Sequence, residues 1–185
     1  MVVLRRPERP GRSPTVVPMS EVPDDEVDRI VAAWGRERPA LAVSPLEVLS
    51  RVSRLARHLD LARRDAFGAH GLESWEFDVL SALRRAGDPY ELTPTQLVRQ
   101  TLVTSGTMTN RISRLVERSL VERVASEADH RSTLVRLTPT GRDVVDAALA
   151  DLVADERGLL QGVPPGRQAE LAQLLKGLLA PFDGA

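Results

Sequence analysis

Hydrophobic positions along the chain fall into a succession of helical stripes. From Asp24 onward, Val27, Ile30, Val31 and Trp34 are spaced i, i+3, i+4, i+7, one face of a short helix. Pro39 to Val43 reads as a connection. Ser44-Pro45-Leu46-Glu47 then has the pattern of a capping box, with serine as the cap, proline at the first helical position and glutamate reaching back. Behind it Leu46, Leu49, Val52, Leu55, Leu59 and Ala62 predict a long helix running to about Phe67 and closed by Gly71. Trp75 to Arg85 is predicted helical, with Phe77, Leu80, Leu83 and the Arg84 stem on one side, and Gly87-Asp88-Pro89 ends it. Thr93-Pro94-Thr95-Gln96 repeats the capping logic and opens a short helix bearing Leu97 and Val98. Thr104 or Ser105 caps the next one, striped by Met108, Ile112, Leu115 and Val116. Two short helices joined by a few residues form a helix-turn-helix.

The period then changes. Leu120 to Val124 and Thr133 to Leu137 are short β-prone runs separated by a polar turn with a basic tip, which predicts a hairpin wing. Thr138-Pro139 opens a further long helix with Val144, Val145, Ala148, Leu149, Leu152 and Val153 on its apolar side. After Pro164-Pro165, Leu171, Leu174, Leu175, Leu178 and Leu179 stripe a last helix. The expected fold is mainly α with a small β-hairpin wing, an α+β winged helix. Residues 1–22, rich in Arg and Pro, read as a flexible arm, and 23–185 as a single domain. Within it, 71–138 would be the DNA-binding lobe, while 23–70 and 139–181 carry more apolar surface than a small core requires. Packing within one chain would use that surface, and so would a two-fold homodimer, which also sets two recognition helices about one DNA turn apart.

Composition narrows the class. With 42 % hydrophobic and 28 % charged residues, the 185-residue chain can bury a core. No apolar run approaches the ~20 residues that span a bilayer, and no signal-peptide core is present, so a cytoplasmic protein without membrane contact is expected. The absence of cysteine removes disulfides, thiolate metal sites and thiol redox sensing. There is no Walker A run, no G-x-G-x-x-G after a strand and no H-E-x-x-H, and His58, His70 and His130 lack metal-ligand spacing. Neither enzymatic activity nor a cofactor is expected. The net charge of −1 conceals an asymmetry: from Arg99 to Arg142 eight arginines stand against four acids, so this segment is +4 and the remainder −5. A basic middle suits a polyanionic partner.

Helical geometry sharpens that reading. At ~100° per residue, with Met108 at zero, the apolar stripe points to about 25° and the opposite direction collects Asn110, Arg114, Thr107, Gly106 and Ser113. These are small hydrogen-bonding residues plus one guanidinium, the surface a helix needs to enter the major groove, where Asn pairs with adenine and Arg with guanine. Ser105, Thr109 and Arg123 are candidates for phosphate contacts, which position without specifying sequence. Arg131 sits at the wing tip, with Asp129 placed to orient it. On the Trp75–Arg85 helix, Asp78 and Arg85 share a face roughly 10 Å apart, an arrangement open to a small planar anion that donates to Asp78 and accepts from Arg85. Arg111 lies on the flank of the recognition helix and can reach toward Asp78. The same residues also suit a purely structural ion-pair network.

Two stretches carry a family resemblance: Thr104-Ser105-Gly106-Thr107-Met108-Thr109-Asn110-Arg111-Ile112, and Asp129-His130-Arg131-Ser132-Thr133-Leu134-Val135-Arg136-Leu137-Thr138-Pro139-Thr140-Gly141. They resemble the MarR family of bacterial transcription regulators over roughly residues 45–180. The resemblance implies a homodimeric winged helix on a palindromic operator, by default a repressor, whose DNA binding a small molecule weakens. It also implies that the wing arginine, Arg131, enters or lies near the minor groove. The additional N-terminal helix with Trp34, together with Phe77-Asp78-Val79-Leu80 and Leu83-Arg84-Arg85, is similar to the urate-responsive subgroup, implying ligand contacts from Trp34, Asp78, Arg85 and Arg111. A winged-helix module that binds protein, and a DNA-binding protein that ignores ligands, are the alternatives.

Overall fold

A computed structural model describes residues 23–125 and 133–182. The arm expected over 1–22 and the wing tip with Asp129, His130 and Arg131 lie outside the described residues. The described elements are α1 (Glu26–Glu37), α2 (Pro45–Gly68), α3 (Ser74–Arg85), β1 (Glu91–Leu92), α4 (Pro94–Thr101), α5 (Ser105–Glu117), β2 (Val121–Ala125), β3 (Thr133–Leu137), α6 (Pro139–Leu160) and α7 (Pro165–Leu179). The chain divides into two compact units, one built from the segments ending at Ser50 and starting at Ala154, the other from Arg51–Val153.

In the first unit, α1 starts on a capping box: Asp25 Oδ1 accepts from the Val27 and Asp28 N–H groups at 2.7 and 3.0 Å, and Asp28 accepts from the Asp25 N–H at 2.9 Å. Val27 is buried, whereas Trp34, assigned to the same stripe, is 48 % exposed. α7 follows the Pro164-Pro165 break, and Gln168 Nε2 donates back to the Val163 carbonyl at 2.8 Å. No residue of α7 is buried, and Leu171, Leu174, Leu178 and Leu179 are all exposed.

The second unit holds the core. Leu80, Leu83, Leu97, Met108, Leu115, Val121, Val135 and Val145 are fully buried, each contributing roughly 1.5–3 kcal/mol of transfer free energy. Phe67 and Phe77 stack at 4.0 Å. The helix-turn-helix forms as its caps predict. Thr93 accepts from the Gln96 N–H at 3.2 Å while Gln96 Oε1 accepts from the Thr93 N–H at 2.8 Å. Thr104, of the two candidates, is the residue before α5, and it accepts from the Thr107 N–H.

The wing is part of a three-stranded antiparallel sheet ordered β1-β3-β2. β2 and β3 pair from Val121↔Leu137 to Ala125↔Thr133. β1 adds Glu91↔Arg136 and Leu92↔Val135, a strand that a two-residue pattern could not reveal. It ties the hairpin to the helices, and Glu91 pairs with Arg136 at 2.7 Å. The Thr-Pro-x-Gly run at the end of the wing has a steric reason. Thr138 Oγ1 lies 2.9 and 3.0 Å from the Ser119 and Leu120 carbonyls and accepts from the Gly141 N–H at 3.0 Å. That clamp draws α6 so close that a Cβ at Gly141 would stand 2.0 Å from the Leu120 carbonyl oxygen.

Candidate nucleic-acid interface and ligand site

Recognition helix α5 is held from below by Met108, Ile112 and Leu115, all buried. Its outer face then presents what the helical wheel placed there: Ser105, Thr107, Thr109, Asn110 and Arg114 are exposed and Ser113 is half-buried. Several of these side chains are already oriented. Thr107 shares a 2.9 Å hydroxyl contact with Thr104, and Thr109 donates to the Ser105 carbonyl at 3.1 Å. Ser113 donates to the Thr109 carbonyl and accepts from Arg123 Nη2 at 2.9 Å, which joins α5 to the first wing strand. Arg123, exposed on β2, is thereby anchored beside α5.

Arg114 is more constrained than the sequence suggested. Its Nη2 donates to Glu73 Oε1 at 2.9 Å, and its guanidinium lies 4.9 Å from the centre of the Trp75 ring. Trp75 Nε1 in turn donates to Glu73 Oε2 at 2.8 Å. The Trp75 N–H, followed by Arg114, holds the Glu73 carboxyl below its ordinary range. Arg111 lies over the same indole at 5.4 Å. One turn on, Arg118 reaches Glu76, which is 1 % exposed, at 2.5 Å and the Gly71 carbonyl at 2.8 Å. Glu73, Trp75, Glu76 and Arg118 were not singled out from sequence. The only sequence signal for them was a tryptophan and two acids in the first turn of a helix, a pattern indistinguishable from ordinary capping.

Asp78 lies on α3 in a surface depression of about 580 Å³ that it shares with Arg64, Leu72, Glu73, Ser74 and Trp75, large enough for a small heterocycle. The residue as a whole is exposed, yet the protein crowding its carboxyl makes desolvation the leading influence and raises its pKa; Arg111, Arg63 and Arg85 each pull the other way. Arg111 lines a neighbouring hollow with Trp75, Thr107, Asn110 and Arg114, so Trp75 lines both hollows. Arg85 donates to Ser81 Oγ at 3.0 Å. Among the described residues, Asp78 thus feels its arginines through space. Trp34 belongs to the other unit.

The raised pKa has a consequence with a definite sign. A carboxyl whose folded pKa exceeds its unfolded value destabilises the fold when ionised, and acidification removes the penalty. Asp78→Asn is expected to be at least as stable as the parent at pH 7. The difference should disappear as pH falls through the raised folded value toward the ordinary one, measured by urea unfolding at several pH values.

A capped helix pair, a polar arginine-bearing recognition helix and a strand-tethered hairpin together define a winged helix-turn-helix DNA-binding protein. The sequence model of the MarR family matches residues 70–132. The HTH-type transcriptional regulator PecS of Dickeya dadantii (strain 3937) is 34 % identical over 150 residues, which cover 81 % of this chain and 90 % of that protein. The chain belongs to the MarR family of transcriptional regulators. The structure is also similar to a mutant MarR from E. coli complexed with operator DNA, with a TM-score of 0.61, 24 % identity and coverage of 79 % of this chain and 97 % of that one. A further similar structure is Bordetella bronchiseptica BpsR, described with the regulation of its DNA binding by 6-hydroxynicotinic acid; the TM-score is 0.53 and the identity 26 %, covering 69 % of this chain and 98 % of that one. Among the described residues no helix is long and apolar enough to cross a membrane.

Proposed function

We propose that the protein is a homodimeric repressor that sets α5 in the major groove of a palindromic operator and releases it on binding a small planar anion, urate-like in chemistry. The observation that carries the DNA reading is the outer face of α5, where Thr107, Asn110 and Arg114 stand exposed opposite a fully buried apolar stripe. Asn110, Thr107 and Arg114 read base edges; Ser105, Thr109, Ser113 and Arg123 serve the phosphates; Arg131, oriented by Asp129, enters the minor groove. The exposed leucines of α7 supply the dimer contact. Asp78, Arg85 and Arg111 receive the ligand, for which the depression around Asp78 and the pull of Arg111, Arg63 and Arg85 on its crowded carboxyl are the support.

The test is a mobility-shift titration on the intergenic DNA upstream of the protein's own coding sequence, at several salt concentrations and with urate. Operator affinity should fall steeply with salt, as phosphate neutralisation requires. A salt-independent interaction, or none, would point instead to a protein-binding winged helix. Asn110→Ala should lose about 1–3 kcal/mol of discrimination at the base it reads, while Arg131→Ala weakens all related duplexes alike. Asp78→Ala and Arg85→Ala should keep DNA binding and lose the response to urate; undiminished urate release in both variants would remove the ligand assignment.

A further inference from the structure

We propose that Glu73 and Trp75, residues of the α3 start outside the recognition helix, are specificity-determining positioning residues that fix Arg114 for its base contact. The inference rests on the reading that α5 enters the groove. Glu73, Trp75 and Arg114 close a triangle: the indole N–H to one carboxylate oxygen at 2.8 Å, the guanidinium to the other at 2.9 Å, and the guanidinium over the indole at 4.9 Å. Both carboxylate oxygens are engaged, so Glu73 has a single orientation to offer.

This triangle is on the surface. The Glu73 and Arg114 side chains are 58 % and 53 % exposed, and ion pairs so placed contribute little to folding because water competes with them. Its consequence is for order. An exposed arginine has many rotamers and loses that freedom when it docks, whereas a guanidinium already fixed in plane by a ring and along one edge by a carboxylate loses little. The bond to Glu73 uses one N–H of Nη2, which leaves the rest of the fork for a guanine edge. Thr107 and Asn110 line the same hollow as Trp75 and Arg114, so the held guanidinium lies beside the other two reading residues. A carboxylate here also repels the phosphates of every duplex alike, while its hold on Arg114 favours only the duplex that offers that guanidinium a base partner. Glu73 thereby raises discrimination at the expense of general affinity.

The experiment selects the tightest duplex from a random pool with the full-length protein, then measures affinity for it and for a shuffled duplex of equal length. Failure to enrich any duplex would sink the DNA reading itself, independently of this proposal. Given enrichment, Glu73→Ala should lower the ratio of the two affinities by about fivefold, the lower end of what one bidentate base contact contributes, with binding to the shuffled duplex unchanged or tighter. Trp75→Phe keeps the ring and loses the N–H, so the ratio should fall by a smaller factor. Glu73→Gln keeps an acceptor for Arg114 and should recover part of the ratio. In Arg114→Ala, adding Glu73→Ala should change the ratio no further. Thermal melting of each variant separates loss of fold from loss of positioning. A ratio unchanged in folded Glu73→Ala, or tighter binding to both duplexes by the same factor, would overturn the proposal.

Discussion

Gly141→Ala is expected to destabilise the protein by about 3 kcal/mol, the upper end of the cost of overpacking. An added Cβ would meet the Leu120 carbonyl oxygen at 2.0 Å, with the Leu120 carbonyl carbon and the Leu137 side chain both at 3.0 Å. Ordinary contact needs well over 1 Å more, and the nearest atom belongs to the backbone, so no side-chain rotation relieves the clash. The Leu120 carbonyl is also fixed from two sides, by the Thr138 N–H at 3.2 Å and the Thr138 hydroxyl at 3.0 Å. Relief therefore breaks the joint between the wing and α6. In a chain of this size a loss of that magnitude lowers the melting temperature by roughly 6–12 °C. Gly158→Ala in the same helix has nothing within 4 Å of the new methyl and should raise stability, by up to ~1 kcal/mol, because alanine is the better helix former. Equal melting of the two variants would contradict the steric account.

Arg118→Ala is expected to cost about 2 kcal/mol, below the usual range for breaking a buried ion pair because the arginine itself is partly open to water. Glu76 is 1 % exposed and its Arg118 partner 42 %. Removing the arginine strands a buried carboxylate whose other contact is the Glu73 N–H at 2.9 Å. The Gly71 carbonyl loses its donor too. Glu76→Gln keeps an acceptor for that N–H and removes the charge, so it should be milder. Urea midpoints of the two variants rank them, and a more severe Glu76→Gln would show that the charge of Glu76 is not what Arg118 supports. Because Arg118 follows α5 directly, its loss should also weaken DNA binding without altering base preference.

Much of this architecture was legible in one dimension. The capping sequences at Thr93 and Thr104 place helix starts because side-chain acceptors for orphan N–H groups are local chemistry. The stripe Met108, Ile112, Leu115 defines which side of α5 is buried, and so which side is left exposed. Periodicity failed where interactions span distant segments. β1 has two residues and exists because β3 offers it a partner. Glu76 falls among buried residues and is tolerated there because Arg118, 42 positions away, reaches it. The candidate site divides the same way. Helical spacing singled out Asp78, Arg85 and Arg111 as candidates, while the indole that Arg111 lies over was not singled out, since the wheel of one helix carries no information about what packs against it.

What the linear order of residues settled is therefore most of the elements, their ends, and the composition of the exposed face of α5, all consequences of contacts within a few residues. What required three dimensions is the company each charged group keeps: Arg114 with Glu73 and Trp75, Arg118 with Glu76, and Asp78 crowded among arginines. Charge energetics depend on distance and local dielectric, and neither is a function of position along the chain.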